Sequence, residues 1–144
     1  MKRSLNDLSV KELEKVLDKW FSLFIRARDS NEDGYIFCCT CGRPKKWRAL
    51  DGADNGHYSK RNKAHRFSET NCNAQCKWCN GDKGGKGEAD KHAIYIDKKY
   101  GEGTAKELRE SENIIIKRPD WWYIEKIEHY KNKFKQLQIK KGLI

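Results

Sequence analysis

Four cysteines form two C-x-x-C pairs, and their spacing predicts a metal site. Cys38 and Cys41 make up the first pair, Cys76 and Cys79 make up the second, and residues 42–75 separate them. Each C-x-x-C turn supplies two thiolates, so two turns complete the tetrahedral ligand shell of a structural zinc ion. Because four cysteines leave no open coordination position, we expect this zinc to stabilise the fold and to take no part in catalysis.

Two further cysteines lie close to these pairs. Cys39 lies inside the first pair, so a ligand set of Cys39 with Cys41 stays open, although its geometry is poorer. Cys72 comes four residues before Cys76, and we expect it to be a small buried residue and not a ligand.

Three other residues have types and positions that suit phosphodiester hydrolysis. His57 lies between the cysteine pairs and Asn80 follows Cys79 directly, so the zinc would fix where they lie. The Asn80 carbonyl and the Asp54 carboxylate offer the oxygen ligands that Mg2+ or Mn2+ prefers. A neutral histidine could then take a proton from an attacking water. The pattern predicts a one-metal phosphodiesterase site, and a histidine that merely packs on a hairpin is the alternative.

The chain is strongly basic, which indicates a polyanionic partner. Its formal net charge is +10 and its pI is about 9.3, and nucleic acid is the usual partner of such a chain. Basic residues are concentrated around His57, where a phosphate backbone would lie. We expect DNA contacts from Arg43, Lys45, Lys46, Arg48, Lys60, Arg61 and Arg66. The alternative is a basic surface that serves only solubility.

The elements that must position these residues are mainly helical. With 144 residues and a mean hydropathy of -1.01, the chain is expected to form one domain, residues 1–144, with a small core. Ser9 and Glu12 form a capping box that opens a helix over residues 10–29. Apolar residues at helical spacing predict a helical part over residues 88–144. A zinc-bound core over residues 34–87 lies between them, so the expected fold class is α+β.

Short strands are expected inside that core. Residues 35–37 are predicted to form a strand that leads into the first cysteine pair. Residues 47–50 and 56–59 are predicted to form a hairpin, and residues 73–80 a short helix.

The sequence also predicts the compartment. No apolar stretch is long enough to span a bilayer, and the first residues lack the apolar segment of a signal peptide. We therefore expect a cytoplasmic protein with no membrane partner. Cysteines in that compartment are usually reduced, which favours metal binding over disulfide bonds.

The residues around the cysteines resemble those of a nuclease family. A histidine between two C-x-x-C pairs, with an asparagine after the last cysteine, resembles the zinc-stapled HNH (ββα-metal) nucleases, especially recombination endonuclease VII. The resemblance is closer to the NinG (Rap) family of phage recombination endonucleases. It rests on the segments 56–61 (Gly-His-Tyr-Ser-Lys-Arg), 66–67 (Arg-Phe) and 75–80 (Gln-Cys-x-x-Cys-Asn), on Asn71, and on residues 20–29. It covers about residues 15–101.

That resemblance implies metal-dependent cleavage of branched DNA, such as Holliday junctions and D-loops. It also implies a small zinc-stabilised ββα-metal core flanked by helices. His57 matches the general base of the family, Asn80 matches a metal ligand, and Asn71 matches the middle asparagine that orients the histidine loop.

One position departs from the family pattern. Gly56 stands where many HNH nucleases carry an acidic residue or a histidine directly before the base. Asp54, three residues before the base, is then the expected acidic ligand, with Glu69 as an alternative.

Two other functions stay open. A zinc-containing DNA-binding module without catalysis explains the charge and the cysteines, but it gives no reason for His57 and Asn80. A redox role for the C-x-x-C pairs would need exposed thiols of low pKa, which paired zinc knuckles do not provide. For the nuclease, a homodimer would place two sites on a two-fold symmetric junction, with the first or last helix as the contact.

Overall fold

The computed structural model describes residues 3–48 and 50–144. A short 3-10 turn (Leu5–Asp7) comes first, and helices and short strands follow in the expected order. The elements are α1 (Val10–Asp29), β1 (Tyr35–Phe37), β2 (Pro44–Lys46), β3 (Ala53–His57), β4 (Cys72–Cys76), α2 (Lys77–Asn80), α3 (Ala89–Tyr100), α4 (Thr104–Glu110) and α5 (Asp120–Lys141). The predicted mixture of helices with a small strand region is confirmed.

Two long helices form most of the hydrophobic core. α1 begins at the predicted capping box, where the Glu12 N–H donates to Ser9 Oγ and the Ser9 N–H donates to Glu12 Oε1, both at 3.2 Å. The apolar stripe of α1 packs against that of α5, and the Phe21 and Tyr130 rings meet edge to face with centroids 4.8 Å apart. The apolar stripes of α1 and α5 therefore bury each other within one chain.

The strands form two separate antiparallel sheets, β1 with β2 and β3 with β4. In the second sheet, His57 is the register partner of Cys72. The predicted hairpin between residues 47–50 and 56–59 is wrong, because β3 pairs with β4 instead. Position 49, inside the first of those segments, lies outside the described residues.

β4 takes the place of the first half of the helix predicted over residues 73–80, and the second half is helical as α2. All five residues of β4 are buried, including two amide side chains. Gln75 Nε2 donates to Thr40 Oγ1 at 3.1 Å and to Gly87 O at 3.0 Å. Asn73 Nδ2 donates to Thr70 O at 3.3 Å. These hydrogen bonds offset the cost of burying polar groups in a strand.

The end of α1 holds β4 in place. Asp29 Oδ2 accepts a hydrogen bond from the Ala74 N–H at 2.8 Å. Arg28 donates to the carbonyl oxygens of Glu69 and Cys72, both at 2.9 Å. Burial by itself would raise the pKa of Asp29, but the hydrogen bond and charge of Arg28 lower it below its ordinary value. The charged pair therefore anchors α1 to the strand that leads into the second cysteine pair.

A second, smaller core lies between α3 and α4. It consists of Ile96, Ala105 and Leu108, and Tyr58 from the end of β3 packs against it. Among the residues that the structure describes, no helix is both long and apolar enough to cross a membrane.

Candidate functional site

The four cysteines of the two C-x-x-C pairs come together in space. Cys38 and Cys41 lie after β1, Cys76 ends β4, and Cys79 lies in α2. Their ligand atoms all lie within 4.8 Å of one another, and Cys41 Sγ lies 3.8 Å from Cys76 Sγ. Zinc–sulfur bonds of about 2.3 Å in a tetrahedron place the sulfur atoms about 3.8 Å apart. The cluster could therefore hold a structural metal such as zinc.

Local hydrogen bonds prepare these sulfur atoms to bind a metal. The Cys76 N–H donates to Cys38 Sγ at 3.2 Å, and the Cys79 N–H donates to Cys76 Sγ at 3.4 Å. Burial opposes ionisation of Cys38, but the Cys76 N–H and the Thr40 hydroxyl lower the pKa of its thiol to about 6. Gly42 closes the first turn with a φ of 75°, a conformation that glycine adopts without strain. The Cys38 thiolate is thus favoured at neutral pH, whereas burial and the neighbouring thiols raise the pKa of Cys41 and Cys79, so that metal binding has to displace the protons of those two.

The other two cysteines stand outside this cluster. Cys72 is fully buried, as predicted, and Cys39 is buried with its N–H bonded to Ala74 O at 3.0 Å. Burial raises the pKa of both thiols, so that both stay protonated. Of the two alternatives for the first knuckle, the cluster uses Cys38 and not Cys39.

One surface cavity brings together the residues of the predicted phosphodiesterase site. It has a volume of about 640 Å³, and its lining includes Asp54, His57, Lys60, Arg61 and Asn80. β3 carries the first two, the loop after β3 carries the two basic residues, and α2 carries the asparagine. The sulfur cluster lies where β4 meets α2, so a bound zinc would fix α2 against the sheet.

The two predicted ligands of a catalytic cation are in contact. Asn80 Nδ2 donates to Asp54 Oδ2 at 3.3 Å, while Lys77 Nζ forms an ion pair with Asp54 Oδ1 at 2.5 Å. A cation held by Asp54 would therefore have to displace the Lys77 amine. Glu69, the alternative acid, accepts a hydrogen bond from the Tyr130 hydroxyl at 3.0 Å and is not part of the cavity lining. The geometry favours Asp54 over Glu69.

Gly56 occupies a position where no side chain fits. A Cβ atom there would come within 2.3 Å of Gln75 Oε1 and 2.9 Å of Gln75 Cβ, across the sheet. Gln75 is fully buried, and its amide is held by two hydrogen bonds. Packing between β3 and β4 therefore explains why this position is a glycine.

His57 is held by the loop that follows β3. Its Nε2 lies 3.0 Å from the Arg66 carbonyl oxygen, and because a carbonyl can only accept, Nε2 carries the proton. The other ring nitrogen, Nδ1, then keeps a lone pair that can act as a base. Burial lowers the pKa of His57 below its ordinary value, so the ring is neutral at pH 7.

The buried side chain of Asn71 also holds this loop, through hydrogen bonds to its backbone. It is fully buried, and its Oδ1 accepts a hydrogen bond from the Ser59 N–H at 2.8 Å. Its Nδ2 donates to Ser59 O at 3.3 Å and to His65 O at 3.1 Å. One amide therefore ties both ends of the segment between Ser59 and His65, which begins two residues after His57.

Asp18 of α1 is a site residue that the sequence reasoning missed. It lines the cavity and accepts hydrogen bonds from Arg61 NH2 at 2.8 Å and from Arg66 Nε at 3.0 Å. Glu14, one helical turn earlier, lies 3.2 Å from Arg66 NH1. The two acids thus clamp the residue whose carbonyl holds His57. Their i, i+4 spacing on the polar face of α1 was the only sequence signal, and such pairs are common on solvated helices.

The predicted DNA-binding residues do not all lie together. Lys60 and Arg61 line the cavity, and Arg66 is largely buried, with only 18% of its side chain exposed, against Asp18. The other four line two separate depressions, Arg43 and Lys45 beside the sulfur cluster and Lys46 and Arg48 near the C-terminal residues. The structure therefore brings two of the seven to the site.

Comparison with known proteins gives one match. Residues 2–141 match the family model described as Bacteriophage Lambda NinG protein. Comparisons with curated proteins and with solved structures find no significant match. Since the family model spans nearly the whole chain, this protein belongs to the NinG family of phage proteins.

Proposed function

We propose that the protein is a metal-dependent DNA endonuclease of the HNH type that acts on branched recombination intermediates. The observation that carries the proposal is that one cavity is lined by His57, by Asp54 and Asn80, which contact each other, and by the basic residues Lys60 and Arg61. Membership of the NinG family implies a phage recombination-related protein, which would work in the cytoplasm of the bacterial host.

In this proposal, the chain's own residues bind the phosphate and move one proton. Lys60 and Arg61 hold the scissile phosphate by charge and hydrogen bonds. His57 Nδ1 takes a proton from a water, and the resulting hydroxide attacks phosphorus. The bond from phosphorus to the 3′ oxygen breaks, and the leaving oxygen takes a proton from solvent. The products are a 5′ phosphate and a 3′ hydroxyl.

The oxygen atoms of Asp54 and Asn80 are the donors that would hold the catalytic cation. Asn80 Nδ2 already donates to Asp54, and its carbonyl oxygen is the atom left for metal binding. Carboxylate and amide oxygens suit Mg2+ or Mn2+. Such a cation would supply charge stabilisation for the pentacovalent phosphate and the leaving oxygen.

The preference for branched DNA would come from shape and charge. Contacts to phosphates position a protein without reading sequence, and six of the seven predicted DNA-binding residues line the cavity or two further depressions. A homodimer remains part of the proposal, because two copies would place two cavities on opposed strands of a junction.

A zinc-containing DNA-binding module without catalysis is the second candidate. The Lys77 and Asp54 ion pair at 2.5 Å favours it, because an amine already occupies one oxygen of the acidic ligand. The two candidates agree on DNA binding and differ on hydrolysis.

Cleavage assays on zinc-loaded protein separate the two candidates. A labelled four-way junction and a linear duplex of the same sequence are incubated with Mg2+, with Mn2+ or with neither. The nuclease predicts cation-dependent cutting of the junction, and Asp54→Asn should reduce it while leaving binding nearly unchanged. Tight junction binding with no cutting in either cation would refute the nuclease and favour the binding module.

A further inference from the structure

Three consecutive isoleucines lie exposed on the surface of this very polar chain. Ile114, Ile115 and Ile116 are 59%, 86% and 48% exposed, in a segment between α4 and α5 that has neither helix nor strand structure. Among the described residues, no other run of three large apolar side chains is exposed to this extent. Contiguous apolar patches of this kind commonly mark binding surfaces.

The isoleucine segment is attached to the loop that holds His57. The Ala64 N–H donates to Glu112 O at 3.1 Å, and His65 Nε2 lies 2.7 Å from Ser111 Oγ. The isoleucines line a groove of about 260 Å³. Asn62 of this loop lines both the groove and the cavity that His57 lines, so the two depressions adjoin at the loop.

The charges around the groove fit DNA better than a second copy of the chain. Lys63 and Arg118 line the groove and Lys117 directly follows the isoleucines, whereas Glu14 and Glu112 are its acidic residues. A two-fold contact between copies would press the same patch against itself. It would thus bring these basic side chains together in a protein that already carries a net charge of +10. Phosphates flanking an apolar surface match the pattern instead.

We propose that Ile114–Ile116 pack against base faces at the branch point while Lys60 and Arg61 hold the nearby scissile phosphate. The physical reason is that base faces are the large apolar surfaces of DNA. In a continuous duplex these faces are covered by stacking, but a branch point interrupts the stack and exposes them. Some DNA-binding proteins insert apolar side chains between neighbouring base pairs. The proposal rests on the proposed function, and it makes this segment the part of the protein that selects branched substrates.

Binding measurements without added Mg2+ or Mn2+ test the proposal independently of cutting. Four-way junctions carry 2-aminopurine either at the branch point or in the middle of one arm, and a linear duplex is the reference. Wild type should change the fluorescence of the branch-point probe only. Ile115→Ser should lose that change and weaken junction binding by about tenfold, the factor that burial of one isoleucine side chain contributes at the least, with duplex binding unchanged. Ile139→Ser is the matched control, since Ile139 is 83% exposed on α5.

The other outcomes are equally informative. Equal loss of junction and duplex binding by Ile115→Ser would overturn the proposal. The proposal would also be overturned if the wild-type protein sediments as a dimer without DNA and Ile115→Ser sediments as a monomer. In that case a second copy of the chain covers the isoleucines. Selective junction binding that depends on Ile115, in a protein that never cuts, would support the branch-point contact and reject the nuclease. If the Ile115→Ser variant still cuts the junction in preference to the duplex, the branch-point contact is rejected while the nuclease proposal stands.

Discussion

Asp18→Asn tests how α1 positions the catalytic loop. The change keeps the size of the side chain but removes the charge that binds Arg61 and Arg66. The Asp18 and Arg66 side chains are 16% and 18% exposed, so the contribution of their ion pair to stability should lie between those of surface and buried pairs. Glu14 remains 3.2 Å from Arg66 and offsets part of the loss. We therefore expect a loss of about 1 to 2 kcal/mol in the free energy of unfolding.

Asp18→Asn should slow DNA cleavage but tighten DNA binding. Without the Asp18 charge, the Arg66 side chain is held less firmly, and its carbonyl oxygen no longer fixes the His57 ring. The single-turnover rate of junction cleavage should therefore fall about tenfold. Arg61, released from Asp18, becomes free to pair with phosphate, so DNA binding should tighten. In thermal unfolding, the melting temperature should fall by about 2 to 8 °C, and cleavage should be measured well below that transition.

A matched variant controls for the added positive charge. Glu110→Gln also replaces an acid by an amide, but Glu110 lies on α4, is 64% exposed and pairs only loosely with Lys106 at 3.8 Å. It should leave the cleavage rate and the melting temperature near wild type. If Asp18→Asn cuts the junction at the wild-type rate, the reasoning that α1 positions the His57 loop is refuted.

Three other measurements test the packing of Gly56, metal binding by the cysteines and the protonation of His57. Gly56→Ala should destabilise the protein by about 1 to 3 kcal/mol in urea unfolding, because its Cβ would meet Gln75; an unchanged midpoint would refute the packing argument. Metal analysis should find about one zinc per chain, and Cys76→Ser should abolish zinc binding and unfold the core in circular dichroism, whereas Cys39→Ser should retain the zinc. A stable zinc-free protein would count against the metal. Burial lowers the pKa of His57 and only the neutral ring accepts a proton, so kcat/KM for cleavage should be lost only as pH falls below about 6.5. An acidic limb above that pH would contradict the assignment.

Local signals explain what the sequence predicted well. The Ser9 and Glu12 capping box and the apolar stripe of α1 both act within a few residues of the chain, so they can be recognised without a structure. The cysteine cluster was also predictable, because two C-x-x-C turns are typical of a structural metal site. The family resemblance around Asn71 was useful, since its role depends on hydrogen bonds to Ser59 and His65 that no spacing reveals.

Tertiary interactions explain what was missed. The first half of the segment predicted as helix is β4, whose buried Asn73 and Gln75 are unusual in a strand; besides its local bond to Thr70, Asn73 contacts His92, and Gln75 contacts Thr40, both distant in sequence. The pairing of β3 with β4 spans the whole histidine loop, so no hairpin signal marks it. Asp18 could not be identified because an acid on the polar face of a helix is ordinary until the helix packs beside a cavity.

Whether His57 is the base of a DNA-cutting site is decided by one rate measurement. It is the single-turnover cleavage rate of a four-way junction by zinc-loaded protein in Mg2+ or Mn2+, compared for wild type, His57→Ala and His129→Ala. His129 lies exposed on α5 and should be dispensable. We predict that His57→Ala lowers the rate by about a hundredfold or more with junction affinity nearly unchanged, while His129→Ala cuts as wild type does. Cleavage by His57→Ala at the wild-type rate would contradict the account.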